Sequence, residues 1–573
     1  MLEEKASKNQ RVSFRNNLSA WAAVSVSAVL LAVFLLKGTA MSENPFPHRV
    51  KIGPFPEGLE WINTKRELQL DKLRGKFVLL DFWTYCCINC MHVLPELKKL
   101  ERAYPNNLVV IGVHSAKFTA EKDSENIREA VLRYKIEHPV VNDAKMILWQ
   151  RIGVRAWPTL LLIDPQGYAV WLKSGESTFE ELDAVLKKAI PYYRGKKLLD
   201  EKPVRFDLEA SRAKKTPLRF PGKVLADESG NRLFIADSNH NRIVVTRLDG
   251  TLLETIGAGT IGRSDGDYAT AQFNSPQGMA LDDETLYVAD TENHLIRKVD
   301  LKNHRVTTIA GTGKQRRGLL QLEPEGQPLK TALSNPWALC VHDGYLYVAM
   351  AGTHQIWRMS LSEPEIGPYA GNGREDIVDG PLLPEEPYKL GFASFAQPSG
   401  LASDGKWLYV ADSEGSSIRA VPFNPAGKVK TVVGTAGLPG ARLFTFGDVD
   451  GQRRRVRLQH ALGVVYYEGR VYVADTYNNK IKVIDPASGS TQTLAGTGKP
   501  GAADAPATFD EPAGITAAGG KLFLADTNNH LIRVVNLRES NQVSTLSIPK
   551  LKPPETPSAS AKPNTADVPD RGN

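Results

Sequence analysis

The hydrophobic and polar positions divide the chain into regions with different periodicities. Between residues 61 and 194, short apolar runs alternate with stretches in which apolar residues recur at helical spacing. The runs predict strands and the spaced stretches predict helices, which together predict an α/β domain over residues 50–194 with helices on both faces of one sheet. The predicted strands are residues 77–82, 108–113, 159–163 and 168–172, and the predicted helices are residues 88–104, 126–134, 144–152 and 178–190.

From residue 215 the pattern changes to short alternating strands separated by glycine-rich turns, and one phrase returns six times. The copies are "RLFIADSNHNRIVV", "TLYVADTENHLIRKV", "YLYVAMAGTHQIWRM", "WLYVADSEGSSIRAV", "RVYVADTYNNKIKVI" and "KLFLADTNNHLIRVV". With its flanks each copy offers about four strands, so residues 215–548 predict an all-β, six-bladed propeller. The polar residues 195–214 are predicted to form a linker, and residues 549–573 a disordered tail.

A third pattern precedes the α/β domain. Residues 18–36 are 19 consecutive residues without a charge, which is enough to cross most of a hydrocarbon core as a helix. They predict one transmembrane helix after a cytoplasmic segment at residues 1–17, since Lys and Arg precede the span. The protein would then be a single-pass membrane protein with both domains outside the cytoplasm. A cleavable signal peptide is the alternative, because Gly38 and Ala40 supply the small residues of a cleavage site.

Composition excludes some classes of protein without choosing a function. A chain of 573 residues is too long for one core, which indicates several domains. Four cysteines are too few for a disulfide scaffold. The net charge of +7 is not gathered into one basic block, so no nucleic-acid partner is expected.

Three of the four cysteines lie within five residues, at the predicted junction of a strand and a helix. A thiol at a helix N-terminus is favoured as thiolate, so Cys87 is the predicted nucleophile. Cys90 lies one helical turn further and can resolve a mixed disulfide from the same face. Two alternatives stay open, a metal site and inert thiols; the fourth cysteine, Cys340, lies too far along the chain to complete a zinc site. No cofactor and no metal are expected.

These residues resemble the thioredoxin superfamily, particularly its membrane-tethered thiol-disulfide branch. Asp81, six residues before Cys87, matches the buried acid of the family, and Pro158 in "VRAWPTLLLID" matches a proline that the family holds in the cis form facing its cysteines. The resemblance implies that Trp157 and Pro158 line the substrate groove. Cys86 stands where the family usually has tryptophan, so it is expected to modulate the redox pair together with Asp81. The direction of the redox chemistry stays open.

The propeller phrase resembles NHL repeats. The order of apolar span, thioredoxin-like domain with "CCINC" and six repeats is similar to the family of NHL repeat-containing protein 2, in a bacterial, membrane-anchored form. This resemblance implies a membrane-anchored thiol-disulfide oxidoreductase that acts on protein thiols or disulfides, with a propeller that binds or positions a protein partner. The alternative is a non-catalytic scaffold or a redox-sensing interaction module.

Other patterns in the propeller are better explained by its turns. The glycines at 257, 259 and 262 spell GxGxxG, but no helix is predicted after them. The acidic residue that recurs in the repeated phrase, and the histidines four residues after it or its Met350 replacement, are predicted to hold turns and not a metal ion. The acidic positions are Asp237, Asp290, Asp412, Asp475 and Asp526, and the histidines are His294, His354 and His530.

Overall fold

The computed structural model describes residues 43–318, 320, 322 and 326–555, which form an α/β domain followed by a β-propeller. The α/β domain is built on a seven-stranded sheet in the order β1-β7-β6-β3-β4-β5-β2, in which only β3, β4 and β5 run parallel. Its strands are β1 Val50–Lys51, β2 Trp61–Ile62, β3 Phe77–Trp83, β4 Leu108–His114, β5 Val140–Asn142, β6 Thr159–Ile163 and β7 Tyr168–Ser174. The four predicted strands are confirmed. The strands β1, β2 and β5 were not predicted, because they are too short to show a periodic pattern in the sequence.

Four helices pack on this sheet, close to the predicted positions. They are α1 Ile88–Ala103, α2 Ser124–Arg133, α3 Ile147–Ile152 and α4 Phe179–Gly195. One face of the sheet packs against apolar residues of α1 and α4, such as Leu97 and Leu186, and the opposite face packs against α3 through Leu148. The sheet therefore has a core on both sides, which explains why β3 and β4 are continuous apolar runs.

The predicted transmembrane helix needs correction. Within the described part of the chain no helix is long and apolar enough to cross a membrane; α4 has 17 residues and is amphipathic. The predicted span at residues 18–36 lies outside the described residues and has no support in the structure. The single-pass membrane location, the membrane contact and the extracytoplasmic placement of both domains all rested on that span, so they are withdrawn with it.

The propeller has six blades, each an antiparallel sheet of four strands with a short fifth strand in three of them. Blades 1 to 3 contain β8 Val224–Asp227, β9 Arg232–Asp237, β10 Arg242–Thr246, β11 Leu252–Ile256; β12 Gly266–Asp267, β13 Pro276–Asp282, β14 Thr285–Asp290, β15 Leu295–Asp300, β16 Arg305–Ala310; and β17 Pro336–His342, β18 Tyr345–Met350, β19 Gln355–Ser360, β20 Ile366–Ala370. Blades 4 to 6 contain β21 Gly380–Pro381, β22 Pro398–Ser403, β23 Trp407–Asp412, β24 Ser417–Pro422, β25 Lys428–Val433; β26 Gly451–Gln452, β27 Gly463–Tyr467, β28 Arg470–Asp475, β29 Lys480–Ile484, β30 Ser490–Ala495; and β31 Pro512–Ala518, β32 Lys521–Asp526, β33 Leu531–Asn536, β34 Gln542–Thr545. The innermost strand of blade 6, β31, packs against that of blade 1, β8, so the ring closes.

The recurring aspartate holds together the blades that carry it. In blade 2, one oxygen of Asp290 accepts a hydrogen bond from the backbone N–H of Asn274 at 2.7 Å, and the other pairs with the guanidinium of Arg297 at 2.9 Å. Blades 4 and 6 repeat this arrangement with Asp412 and Arg419 and with Asp526 and Arg533. The structure thus gives these aspartates the turn-holding role that was predicted.

The histidines of the repeats connect neighbouring blades. In each blade, a residue one to four positions before the innermost strand has a positive φ and donates its backbone N–H to a side chain of the preceding blade. We call these six residues the rim residues. With their acceptors, they are Phe220 (His530), Ser275 (Asn241), Asn335 (His294), Gln397 (His354), His460 (Ser416) and Glu511 (Asn479). Burial lowers the pKa of His294 to about 3 and the pKa values of His354 and His530 to about 4, which keeps each ring neutral and able to accept.

Candidate active site

The cysteine cluster lies at the junction of β3 and α1, as predicted. Cys87 is the N-cap residue of α1, and its carbonyl accepts hydrogen bonds from the backbone N–H groups of Cys90 and Met91 at 3.1 and 3.2 Å. Cys86, Cys87 and Cys90 are buried free thiols. The local fold places Cys87 at the helix end and Cys90 one turn inside it, because the helix begins directly after the second cysteine.

The surroundings of Cys90 keep it protonated. Burial raises the pKa of the Cys90 thiol well above its ordinary value, and a hydrogen bond with Cys87 and the charges of Cys87 and Asp81 act in the same direction. Burial also raises the pKa of Asp81 to about 7, against a smaller opposing effect of His138. Asp81 Oδ1 has no hydrogen-bond partner among the described residues. A carboxyl with this pKa can exchange a proton with its surroundings near neutral pH.

Trp157 and Pro158 lie in the loop directly before β6, and Trp157 packs beside the cysteines. The bond between them is cis, as the resemblance implied. The Trp157 indole N–H donates to the carbonyl of Ser115 at 2.9 Å, and its ring packs against the apolar cluster that contains all three cysteines. The structure therefore places Trp157 against the cysteine cluster, with Pro158 next to it in the chain.

Cys86 is held by a buried carboxylate that the sequence gave no reason to select. The backbone N–H of Cys86 donates to Glu121 Oε1 at 2.9 Å, while Glu121 Oε2 accepts from the backbone N–H groups of Lys117 and Phe118 at 2.9 and 2.8 Å. Burial raises the pKa of Cys86 well above its ordinary value, with the nearby charges of Glu121 and Glu414 adding to the effect. Cys86 is thus an internal thiol in this arrangement.

The propeller covers the cysteine cluster, which sequence reasoning missed entirely. The rim residue Gln397 accepts a hydrogen bond from the backbone N–H of Ile88 at 2.8 Å and donates one to the carbonyl of Cys86 at 2.9 Å. A second rim residue, Glu511, accepts from the hydroxyl of Tyr85 at 2.9 Å and pairs with Arg133 at 2.8 Å. As a result only 9% of the surface of Cys87 is exposed.

Further contacts extend this interface on both sides of the cysteines. His92, on α1, has one ring nitrogen 2.6 Å from the amide oxygen of the rim residue Asn335 and the other 2.6 Å from Glu176. Lys117 forms a buried ion pair with Glu414 of blade 4. The ring of Phe118 packs against Phe446 and Tyr477 of the propeller, in addition to the rim residue His460. The two domains are thus docked through polar, charged and aromatic contacts together.

The remaining two rim residues, Phe220 and Ser275, line a cavity between the domains. The cavity has a volume of about 410 Å³ and lies between the α/β domain and the propeller, where residues of all six blades form its wall. The opposite wall includes Met91 and Leu94 of α1 and Lys135 after α2. The docked domains therefore enclose a space beside the redox helix as well as covering it.

Comparison with known proteins agrees with this architecture. Residues 75–169 match the family model described as "Thioredoxin-like", and residues 273–299 match the model described as "NHL repeat". The chain is 44% identical to NHL repeat-containing protein 2 of Bos taurus over 528 residues, covering 86% of this chain and 71% of the bovine protein.

Two further relatives match over a smaller share of either the relative or this chain. Protein SUPPRESSOR OF QUENCHING 1, chloroplastic, of Arabidopsis thaliana is 44% identical over 530 residues, which are 88% of this chain and 48% of the plant protein. This chain therefore spans about half the length of that relative. The thiol-disulfide oxidoreductase ResA of Bacillus thuringiensis (strain Al Hakam) is 31% identical over 126 residues, which are 22% of this chain and 70% of ResA.

Proposed function

Because this chain belongs to the family of NHL repeat-containing protein 2, with a thioredoxin-like domain and an NHL propeller, we propose that it is a thiol-disulfide oxidoreductase of protein substrates. The observation that carries the proposal is the placement of Cys87 at the N-terminus of α1 with the protonated Cys90 one turn inside. The similarity of the α/β domain to ResA, which is named a thiol-disulfide oxidoreductase, supports the same chemistry.

The proposed exchange has two steps. The Cys87 thiolate attacks one sulfur of a substrate disulfide; a mixed disulfide forms and the other substrate sulfur leaves as a thiolate, which takes up a proton. Cys90 then loses its proton and attacks Cys87 Sγ, which releases the second substrate thiol and leaves a Cys87–Cys90 disulfide. The substrate gains two electrons and the protein loses two. Oxidation of a substrate dithiol is the same sequence in reverse.

Neighbouring groups have defined roles in this proposal. Asp81, whose pKa lies near 7, is suited to accept the proton that Cys90 loses, directly or through water. Trp157 and Pro158 would line the groove for the substrate backbone, because an exposed backbone before a proline can pair with an extended peptide. The propeller would bind or position the protein substrate, and it must move away from α1 before Cys87 can reach a protein disulfide.

Cysteine variants of the full chain test the proposal. Cys90→Ser should accumulate mixed disulfides on Cys87, Cys87→Ser should abolish insulin reduction, and Cys86→Ser should keep substantial activity, because the Cys86 thiol is buried and its pKa is raised. The matched control is Cys340→Ser, which should behave as wild type because Cys340 lies on β17, in a different apolar cluster from the other three cysteines. Mass spectrometry identifies the trapped adducts.

The opposite result would favour a different function. Equal insulin reduction by wild type and Cys87→Ser would remove the nucleophile and leave a non-catalytic scaffold or redox sensor. The burial of all three thiols beneath the propeller is the observation that fits a sensor, because oxidation there would disturb the docked interface.

A further inference from the structure

The side chain of Gln397 binds main-chain groups on both sides of Cys87. Its amide oxygen accepts the N–H of Ile88 at 2.8 Å, and its amide nitrogen donates to the carbonyl of Cys86 at 2.9 Å. The two partners require opposite polarity, so they define the orientation of the amide group. A single propeller residue thereby brackets the predicted nucleophile.

The amide of Ile88 belongs to the set of N–H donors at the start of α1 whose positive partial charge favours a thiolate. The first N–H groups of a helix lack intrahelical acceptors, and they stabilise a thiolate placed at the helix N-terminus. In α1, which the structure describes in full, the N–H groups of Cys90 and Met91 bind the carbonyl of Cys87, and the Cys87 side chain makes no capping hydrogen bond. Gln397 takes the N–H of Ile88, so this donor is withheld from the Cys87 sulfur.

The backbone of Gln397 is fixed by the propeller itself. Gln397 has a φ of 61°, its N–H donates to His354 Nδ1 at 3.1 Å, and its carbonyl accepts from the hydroxyl groups of Ser399 and Ser413 at 2.9 and 2.8 Å. The residue is 1% exposed. Its main chain is thus held on both sides, and its side chain contacts the α/β domain at the start of α1.

We propose that Gln397 is a positioning residue of the redox centre. In the docked state it holds residues 86–88 in place and keeps the Ile88 amide away from Cys87. The inference rests on the proposed function in taking Cys87 as the nucleophile, and it makes the reactivity of Cys87 depend on a residue of the other domain.

Two substitutions of Gln397 separate this role from simple covering. Gln397→Met removes both hydrogen bonds at similar size, whereas Gln397→Glu keeps an acceptor for Ile88 and places a negative charge beside Cys87. The measurement is the rate of Cys87 alkylation by iodoacetamide as a function of pH, in the full-length, reduced chain with Cys86→Ser, followed by mass spectrometry. We expect Gln397→Met to lower the pH at which alkylation reaches half its limiting rate and Gln397→Glu to raise it, each by about one pH unit, a tenfold change in rate at low pH.

The matched control is Gln459→Met. Gln459 is another propeller glutamine in the interface, where it accepts the N–H of Thr119 at 2.9 Å, away from α1. This substitution should raise the alkylation rate by the same factor at every pH, because it loosens docking and leaves the Ile88 hydrogen bond intact.

The outcomes are decisive in both directions. Opposite shifts of the half-rate pH in the two Gln397 variants support the proposal. Partial unfolding would instead shift the half-rate pH of both variants in the same direction. If Gln397→Met behaves like Gln459→Met, with a higher rate and an unchanged half-rate pH, Gln397 only covers Cys87 and the proposal is overturned. Alkylation needs no protein substrate, so opposite shifts in a chain that cannot reduce insulin would remove the oxidoreductase function and leave the positioning role standing.

Discussion

Asp81 carries a pH dependence that can be measured on stability. Its carboxyl keeps a proton up to about pH 7 in the folded chain, whereas an unfolded chain releases it near pH 4. Between these values the folded state binds more protons than the unfolded state, so the free energy of unfolding falls as the pH rises, and above pH 7 this decline stops. The separation of the two pKa values corresponds to on the order of 4 kcal/mol.

Asp81→Asn should remove this decline. The unfolding free energy of the variant minus that of the reduced wild type is expected to grow from about pH 4 to about pH 7 and then to level off. Urea denaturation at several pH values measures it. A difference that stays constant across this range would show that Asp81 titrates alike in the folded and unfolded chains.

Several residues of the site have no signal in the sequence around them. Glu121 lies in a short polar stretch, "AEKD", that is typical of a solvated loop, yet it is fully buried under Cys86. Gln397 is bonded to a residue 309 positions earlier in the chain. Cys87 and Cys90 were predicted from their spacing at the junction of a strand and a helix, whereas Asp81 and Pro158 were predicted only through the resemblance to the thioredoxin superfamily.

At the scale of the element, the repeats show which parts of a blade can be exchanged. Blade 3 replaces the buried aspartate and arginine with Met350 and Trp357, both fully buried. In blade 2 the ion pair does not fully offset burial, since burial raises the pKa of Asp290 to about 6 despite Arg297 beside it. An apolar pair avoids that desolvation cost.

Arg297→Ala should therefore destabilise the propeller by about 3 to 5 kcal/mol, because it leaves Asp290 buried without its cation. Asp290→Met combined with Arg297→Trp, the pair that blade 3 uses, should recover most of that loss. Urea denaturation followed by tryptophan fluorescence and circular dichroism measures both. Arg305→Ala, at an exposed position of the same blade, is the control and should have little effect on stability. If Arg297→Ala destabilised the propeller no more than this control does, the role of the ion pair would be contradicted.

At the scale of the whole molecule, docking of the two domains controls access to the cysteines. The pair of Glu511 and Arg133 lies in the interface, with side chains 2% and 17% exposed. The linker at residues 195–214 also lies against the α/β domain, where the Glu209 N–H donates to Asn63 at 2.8 Å. Movement of the propeller therefore requires breaking buried charge contacts.

Glu511→Ala should weaken docking, because it leaves Arg133 without its carboxylate and Tyr85 without its acceptor. We expect Cys87 to be alkylated about tenfold faster than in wild type, and residues 195–214 to be cut more readily by protease. Glu468→Ala, which breaks an exposed ion pair with Arg538, is the control. An unchanged alkylation rate in Glu511→Ala would mean that this pair does not hold the domains together.

The sequence by itself determined the two folds and the place of the cysteines, because helical and strand periods, glycine turns and the spacing of a CxxC pair all report on neighbours along the chain. The six repeats likewise predicted the blades, since each repeat folds mainly on itself and its neighbours. An uncharged run of 19 residues also suggested a membrane span at residues 18–36, which the described structure does not support. Only the tertiary structure decided that the rim of the propeller closes over Cys87 through Gln397 and Glu511, because those contacts join side chains from distant parts of the chain whose meeting depends on how two complete domains dock.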